Sequence, residues 1–201
     1  MAEQYFETNP NSEHNIKEWK FTLLDNELKF QSDNGVFSKN TVDFGSRVLI
    51  SAFDESVIPE GEILDLGCGY GPIGLSIAKK FPDRQITMSD VNERALELAK
   101  TNAELNDIEN VEIIESSVYD KISKKFAAIL TNPPIRAGKE IVSAMVSDAS
   151  KHLIDGGSIW VVIQKKQGAP SVKKLMQETF NNVEVVKKDK GYYILKANYE
   201  N

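Results

Sequence analysis

The chain has 201 residues, of which 41% are hydrophobic and 27% charged, and its formal net charge is −6. This length predicts one folded domain, and the composition is typical of a globular protein. The acidity argues against a protein that holds nucleic acid by bulk electrostatics. No run approaches the roughly 18 apolar residues that a membrane span needs, and the first ten residues are polar. With one cysteine and two histidines, we expect no metal site, no membrane association and a cytoplasmic location.

The charge is unevenly distributed along the chain. Residues 1–100 carry 10 basic against 17 acidic residues, whereas residues 101–201 carry 14 against 13. The basic residues of the second half form short clusters, and whether several of these share one face depends on the topology of the fold.

The first 60 residues predict a small β-hairpin followed by a helix. Residues 20–24 and 27–31 alternate apolar and polar side chains around a turn at Asp25-Asn26, and Asn34-Gly35 is a second turn signal. Residues 41–56 have apolar side chains at helical spacing. We expect residues 1–40 to be a hairpin extension or lid, and residues 41–201 to be the main domain.

From Gly61 onwards, strand and helix patterns alternate. Strands are predicted at 62–66, 85–89, 111–115, 126–130, 158–163, 183–186 and 192–196, and helices at 72–80, 93–106, 138–153 and 171–180. This order predicts an α/β fold with a seven-stranded, mostly parallel sheet and helices on both faces. Only about five residues join the last two strands, so these must pair as an antiparallel hairpin. Ligands of such sheets bind outside the carboxyl ends of the strands.

A glycine-rich loop follows the first strand of this sheet. Its Gly69-x-Gly71-x-x-Gly74 spacing matches a dinucleotide-binding fingerprint, with Asp90 as the acid for the ribose. Asp65, however, would repel a pyrophosphate and would favour a ligand with an ammonium group. S-adenosylmethionine has that group, a ribose diol and no phosphate, so it suits Asp65 and Asp90 best. A dinucleotide site and a tight turn without ligand remain alternatives, and we interpret Cys68 as a small residue in a cramped loop.

A second motif, Asn132-Pro133-Pro134, follows the predicted strand 126–130. The two prolines fix φ and remove two N–H donors, and a proline holds the residue before it extended. This stiff segment would present the Asn132 amide oxygen and the Pro133 carbonyl as acceptors for the two N–H groups of an exocyclic amine. Such acceptors would orient the amine and localise its lone pair as a methyl group is transferred, so we assign catalysis to Asn132, Pro133 and Pro134.

The two motifs together resemble the class I S-adenosylmethionine-dependent methyltransferases, which are Rossmann-like, and in particular those that modify amino groups. Longer strings, Gly35–Lys39, Asp43–Arg47, Asn132–Lys139 and Gln164–Ala169, are similar to the guanine-N2 methyltransferases of small-subunit ribosomal RNA in a compact single-domain form. The resemblance implies methyl transfer from S-adenosylmethionine to the N2 amine of a guanine in ribosomal RNA, with the RNA or the small subunit as partner. We expect a monomer.

The resemblance also implies roles for individual residues. Phe37, Ser38 and Lys39 would lie over the methionine end of the cofactor. The other implied cofactor contacts are Asp65, Gly67, Cys68, Gly69, Gly71, Asp90, Val91, Ser117, Val118 and Asn132. Among these, Asp90 would bind the ribose, and Ser117 and Val118 would flank the adenine.

The substrate side is implied by the residues that follow the two prolines. Adenine-modifying relatives usually carry an aromatic residue where Ile135 stands, which favours guanine. Arg136 and Lys139 follow one predicted strand and Lys165 and Lys166 the next, so all four should lie on the cofactor side and meet phosphates. Methylation of adenine N6 or of a glutamine side chain remains an alternative, as does a non-catalytic RNA-binding assembly factor.

Overall fold

A computed structural model describes residues 8, 13–38 and 40–201 of the chain. The N-terminal part forms the predicted hairpin, with β1 (Lys17–Leu23) antiparallel to β2 (Asn26–Ser32). Leu24 and Asp25 make the turn in the left-handed region, at φ 49° and 67°. Within the described part of the chain, no helix is both long and apolar enough to cross a membrane.

The predicted seven-stranded sheet is confirmed. Its strands are β3 (Ile63–Leu66), β4 (Ile86–Asp90), β5 (Val111–Glu115), β6 (Phe126–Thr131), β7 (Leu153–Gln164), β8 (Glu184–Asp189) and β9 (Tyr192–Asn198). They lie in the order β5-β4-β3-β6-β7-β9-β8, and the first five are parallel. The predicted antiparallel hairpin is present as well, and β9 inserts between β7 and β8, antiparallel to both.

The helices are α1 (Phe44–Ala52), α2 (Pro72–Lys80), α3 (Glu93–Leu105), α4 (Lys139–Ser147) and α5 (Ala169–Phe180). Two predicted helices were too long. The predicted helix 41–56 begins only after Asp43, which caps it, and it stops where Phe53 turns extended. The predicted helix 138–153 ends at Ser147 and continues as a 3-10 turn to His152, because Leu153 already pairs with Phe126 as the start of β7.

The hairpin shares the core of the main domain. Leu28 and Phe30 are fully buried in the same apolar cluster as α1, α2 and α3. The side-chain oxygen of Asn106 accepts from the Lys29 amide at 2.9 Å, and that of Asn102 accepts from the Gln31 amide at 2.6 Å. These bonds tie β2 to the C-terminal half of α3 and fix the hairpin on the main domain. The proposed domain division at residue 40 stays a prediction.

Candidate functional site

A cavity of about 260 Å³ opens at the carboxyl ends of β3, β4 and β6. This is the place where ligands of such sheets bind, because the strand order reverses between β3 and β6. Of the predicted site residues, the cavity is lined by Phe37, Gly67, Cys68, Gly69, Asp90, Val91, Ser117, Val118, Asn132 and Pro134. Ser38, Asp65, Gly71, Pro133, Ile135, Arg136, Lys139, Lys165 and Lys166 do not line it. Lys39 lies outside the described residues.

Asp90, at the end of β4, organises the glycine loop. One carboxylate oxygen accepts from the Gly69 amide at 2.8 Å and the other from the Asn92 amide at 2.9 Å. Gly69 has φ 57°, and a Cβ at this position would meet no atom within 4 Å. Its backbone conformation therefore favours glycine, while the space beside it is open to a ligand. Burial raises the pKa of Asp90, and the hydrogen bonds from Asn92 and Gly69 oppose this shift.

Asp65, in contrast, lies beneath the loop. Its Oδ2 accepts from the amide of Gly74, in the first turn of α2, at 2.7 Å. Its Oδ1 is buried and has no hydrogen-bond partner among the described residues. Gly74 is required here, because a Cβ would lie 2.9 Å from Asp65 Oδ2 and 2.7 Å from Met88 Cγ. Asp65 thus stabilises the start of α2, and its predicted contact with a ligand ammonium stays a prediction.

Burial raises the pKa of Asp65 from 3.8 to about 7, while the bond from Gly74 opposes the shift. Between these two pH values the folded protein keeps a proton that the unfolded chain has lost, so the free energy of unfolding falls as pH rises. Asp65→Asn does not titrate. We therefore expect the variant to gain stability relative to the wild type as pH rises from 4 to 7, by about 1.4 kcal/mol for each unit of pKa difference.

Urea unfolding of both proteins at several pH values between 4 and 8 measures this gain, with the exposed Asp83→Asn as control. A stability difference between Asp65→Asn and the wild type that stays constant across this range would contradict the proposed burial of a titrating carboxyl.

The Asn132 side chain is held in one orientation. Its amide nitrogen donates to Asp43 Oδ2 at 3.0 Å and to Ser46 Oγ at 3.1 Å. Because a carboxylate only accepts, the nitrogen and not the oxygen of the amide must face Asp43. Among the described residues, none donates a hydrogen bond to Asn132 Oδ1. The amide therefore offers a free acceptor in the cavity wall, immediately after β6.

Sequence reasoning missed the roles of Asp43 and Ser46. The string Asp43–Arg47 contributes to the family resemblance, but the sequence gives neither residue a role in the site. Asp43 Oδ2 in fact caps α1 by accepting from the Ser46 amide at 2.9 Å, and it also accepts from Asn132, 89 residues further along the chain. Only the folded chain brings these groups together.

Hydrogen bonds at two places hold the segment before α1 over the cavity. The Asn92 side chain donates to the Gly35 carbonyl at 3.0 Å, and the Tyr70 hydroxyl lies 3.2 Å from the carbonyl oxygens of Ser38 and Thr41. Tyr70 belongs to the glycine loop and was not predicted as a site residue. Phe37 lies between these anchors, lines the cavity and is 47% exposed.

None of the predicted basic residues lines the cavity. Arg136, Lys139, Lys165 and Lys166 are exposed, and among the described lining residues none is Lys, Arg or His. Ile135 and Lys139 line a second cavity of about 640 Å³, which α4 and α5 flank. The described residues contain no group of three His, Cys, Asp or Glu side chains that could hold a metal ion.

Fold and cavity together define a class I methyltransferase-like protein. A similar solved structure is that of the Thermus thermophilus 16S rRNA N2 G1207 methyltransferase (RsmC), in complex with AdoMet and guanosine. The two structures align with a TM-score of 0.83 and 24% sequence identity, and the alignment covers 92% of this chain and 51% of the Thermus chain. The methyltransferase small domain family matches residues 27–196. This chain belongs to that family.

Two curated relatives differ in how much of their length is matched. The uncharacterized protein YbxB of Bacillus subtilis is 53% identical, and the alignment covers 98% of both chains. The ribosomal RNA small subunit methyltransferase C of Haemophilus influenzae is 34% identical over 84% of this chain and 50% of its own. The chain therefore spans about half the length of the ribosomal RNA methyltransferases that it matches.

Proposed function

We propose that this protein transfers a methyl group from S-adenosylmethionine to the exocyclic N2 amine of a guanine in small-subunit ribosomal RNA. The observation that carries the proposal is the Asn132 amide, whose oxygen is left free in the cavity wall by the bonds to Asp43 and Ser46. The names of the RNA-methylating relatives and the ligands in the Thermus structure support the same reaction.

The cavity suits the proposed cofactor. Asp43 and Asp90 line it and no described lining residue is cationic, which favours a ligand with positive charge over one with a pyrophosphate. Asp90 would accept from the ribose hydroxyls while it keeps its bonds to Gly69 and Asn92, since a carboxylate offers about four lone-pair sites. Val91 and Val118 provide apolar wall for the adenine, and Phe37 would cover the methionine end. When bound, the cofactor supplies an electrophilic methyl group on a sulfonium.

The Asn132 segment would act on the nucleophile. The lone pair of a guanine N2 amine is delocalised into the base, so the amine is a poor nucleophile until its nitrogen becomes tetrahedral. Asn132 Oδ1 and the Pro133 carbonyl would accept its two N–H groups and hold the nitrogen in line with the methyl group. These acceptors gain strength as positive charge develops on the nitrogen, and the proton is then lost to water. Asp43 and Ser46 keep the amide from rotating, so little reorganisation is needed.

The target base has to leave its stack to reach a cavity at the end of the sheet. Ile135 follows the two prolines and is half-buried, and Arg136 and Lys139 lie exposed beyond it. We assign Ile135 to contact with the base, and Arg136, Lys139, Lys165 and Lys166 to the flanking phosphates.

Methylation of ribosomal RNA tests this function directly. Small subunits from a strain that lacks the gene are incubated with the protein and labelled S-adenosylmethionine, and the RNA is digested to nucleosides for mass spectrometry. We expect label in N2-methylguanosine at one position. Label in N6-methyladenosine, or in a protein glutamine, would show that the protein methylates a different amino group and would contradict the proposal. Ribosome association without any methylated product would indicate an assembly factor instead.

A further inference from the structure

The turn between β8 and β9 lies at the same edge of the sheet as the cavity. Because β9 runs antiparallel to β7 and Tyr192 is in register with Gln164, β9 begins where β7 ends. The Lys165 amide donates to the Gly191 carbonyl at 2.8 Å, which joins the turn to the end of β7. Lys190, in this turn, is therefore a neighbour in space of Lys165 and Lys166, although 24 positions separate Lys166 from Lys190 in the chain.

Aromatic side chains connect the turn to the start of α1, next to Asp43. The Lys190 ammonium lies 5.0 Å from the centre of the Phe44 ring, and the Phe44 and Tyr192 rings are 5.5 Å apart. Phe44 directly follows Asp43, the residue that lines the cavity and holds Asn132. A cation over an aromatic face is held by the ring quadrupole, so Phe44 positions the Lys190 charge on this side.

We propose that Lys165, Lys166 and Lys190 form one phosphate-binding strip for the RNA that flanks the methylated guanine, with Phe44 and Tyr192 as its support. This inference rests on the proposed function and extends its substrate contacts to the C-terminal hairpin. The three ammonium groups are exposed, and within the described part of the chain none of the three forms an ion pair. Neighbouring strands lie roughly 4.8 Å apart, so β9 is only about 10 Å from β6, the strand that Asn132 follows.

A polyanion is the partner that this strip fits. The lining of the neighbouring cavity is acidic and would not attract RNA by itself, whereas Lys165, Lys166 and Lys190 follow one edge of the sheet outwards from it. Asp189, the acidic residue next to the turn, is half-buried, whereas Lys190 is exposed. Phosphate contacts of this kind set the register of the RNA, while base contacts in the cavity set its identity.

The test compares two double variants with equal loss of charge. Lys165→Gln with Lys190→Gln removes two charges of the strip, and Lys100→Gln with Lys125→Gln removes two exposed charges elsewhere, on α3 and before β6. Binding to a 16S ribosomal RNA transcript and to isolated small subunits is measured by filter binding at several KCl concentrations.

We expect the strip variant to bind about 10-fold more weakly at low salt, and its slope of log K against log [KCl] to shrink by about 1.4 to 1.8 for two lost phosphate contacts. The control variant should keep the wild-type slope, and both should bind S-adenosylmethionine normally. If the strip variant binds both RNA probes like the control, the strip is not a phosphate site, whether or not the protein methylates RNA. If its binding weakens while no methylated guanine is found, the strip stands and the proposed reaction fails.

Discussion

Asn132→Ala is expected to lower kcat for RNA methylation by about 100- to 1,000-fold, the range seen when one preorganised polar group is removed from a catalytic site. The affinity for S-adenosylmethionine should persist. The variant removes the acceptor oxygen of Asn132. The hydrogen bond from the Ser46 amide to Asp43 does not involve Asn132 and therefore remains. The cap of α1 and the wall of the cavity therefore remain, and the loss falls on orientation of the amine.

Single-turnover methylation at saturating cofactor, together with titration calorimetry of the cofactor, measures the two effects separately. Asn182→Ala is the matched control, because its amide donates to the Phe180 and Asn198 carbonyls at the end of α5, away from the cavity lining. Methylation by Asn132→Ala at the wild-type rate would refute the role of the amide. Loss of cofactor binding along with the rate would show that Asn132 acts on the cofactor and not on the amine.

Asp90→Ala is expected to weaken binding of S-adenosylmethionine about 100-fold, which corresponds to about 2.7 kcal/mol. Hydrogen bonds to a charged group contribute about 1.5 to 3 kcal/mol each, and the variant would lose those that we propose Asp90 makes to the ribose hydroxyls. It also leaves the Gly69 and Asn92 amides without their acceptor, so the loop that faces the ligand loses its support.

Calorimetry with the cofactor measures this loss, and the exposed Asp83→Ala serves as the control. Asp90→Asn separates the two contributions: it keeps one acceptor oxygen and should bind more tightly than Asp90→Ala. Wild-type affinity in Asp90→Ala would remove the ribose contact from the proposed site.

Most of the architecture could be predicted from the sequence, because it depends on local patterns. Alternating apolar runs and amphipathic segments predict the parallel sheet and its helices, and the short link before β9 predicts an antiparallel hairpin. The ends of α1 and α4 were wrong for a different reason. Helical periodicity continues through residues whose backbone is not helical. At α1 the helix begins only after the Asp43 cap, and after α4 Leu153 pairs with Phe126 as part of β7.

The cavity was predicted less completely than the fold. The glycine loop, Asp90 and Asn132 were expected at the cavity, and they line it, because each ends or follows a strand and the carboxyl ends of parallel strands meet at one edge. Asp65 was expected to contact the ammonium of the ligand, and this stays a prediction: Oδ2 bonds to Gly74, while Oδ1 has no partner among the described residues. Motif spacing alone does not give the hydrogen-bond partners of a buried side chain.

The sheet and the stiff Asn132-Pro133-Pro134 segment can be predicted from residue patterns, since they follow from periodicity and from the fixed φ of proline, and the glycine loop is visible as a motif. The orientation of the Asn132 amide and the placement of Lys190 beside Lys165 become visible only in the folded chain. Both depend on contacts between distant parts of the chain: Asp43 with Asn132, and β9 inserted between β7 and β8. The net charge of −6 argues against a protein that binds RNA over its whole surface, but it is compatible with one basic edge beside an acidic cavity.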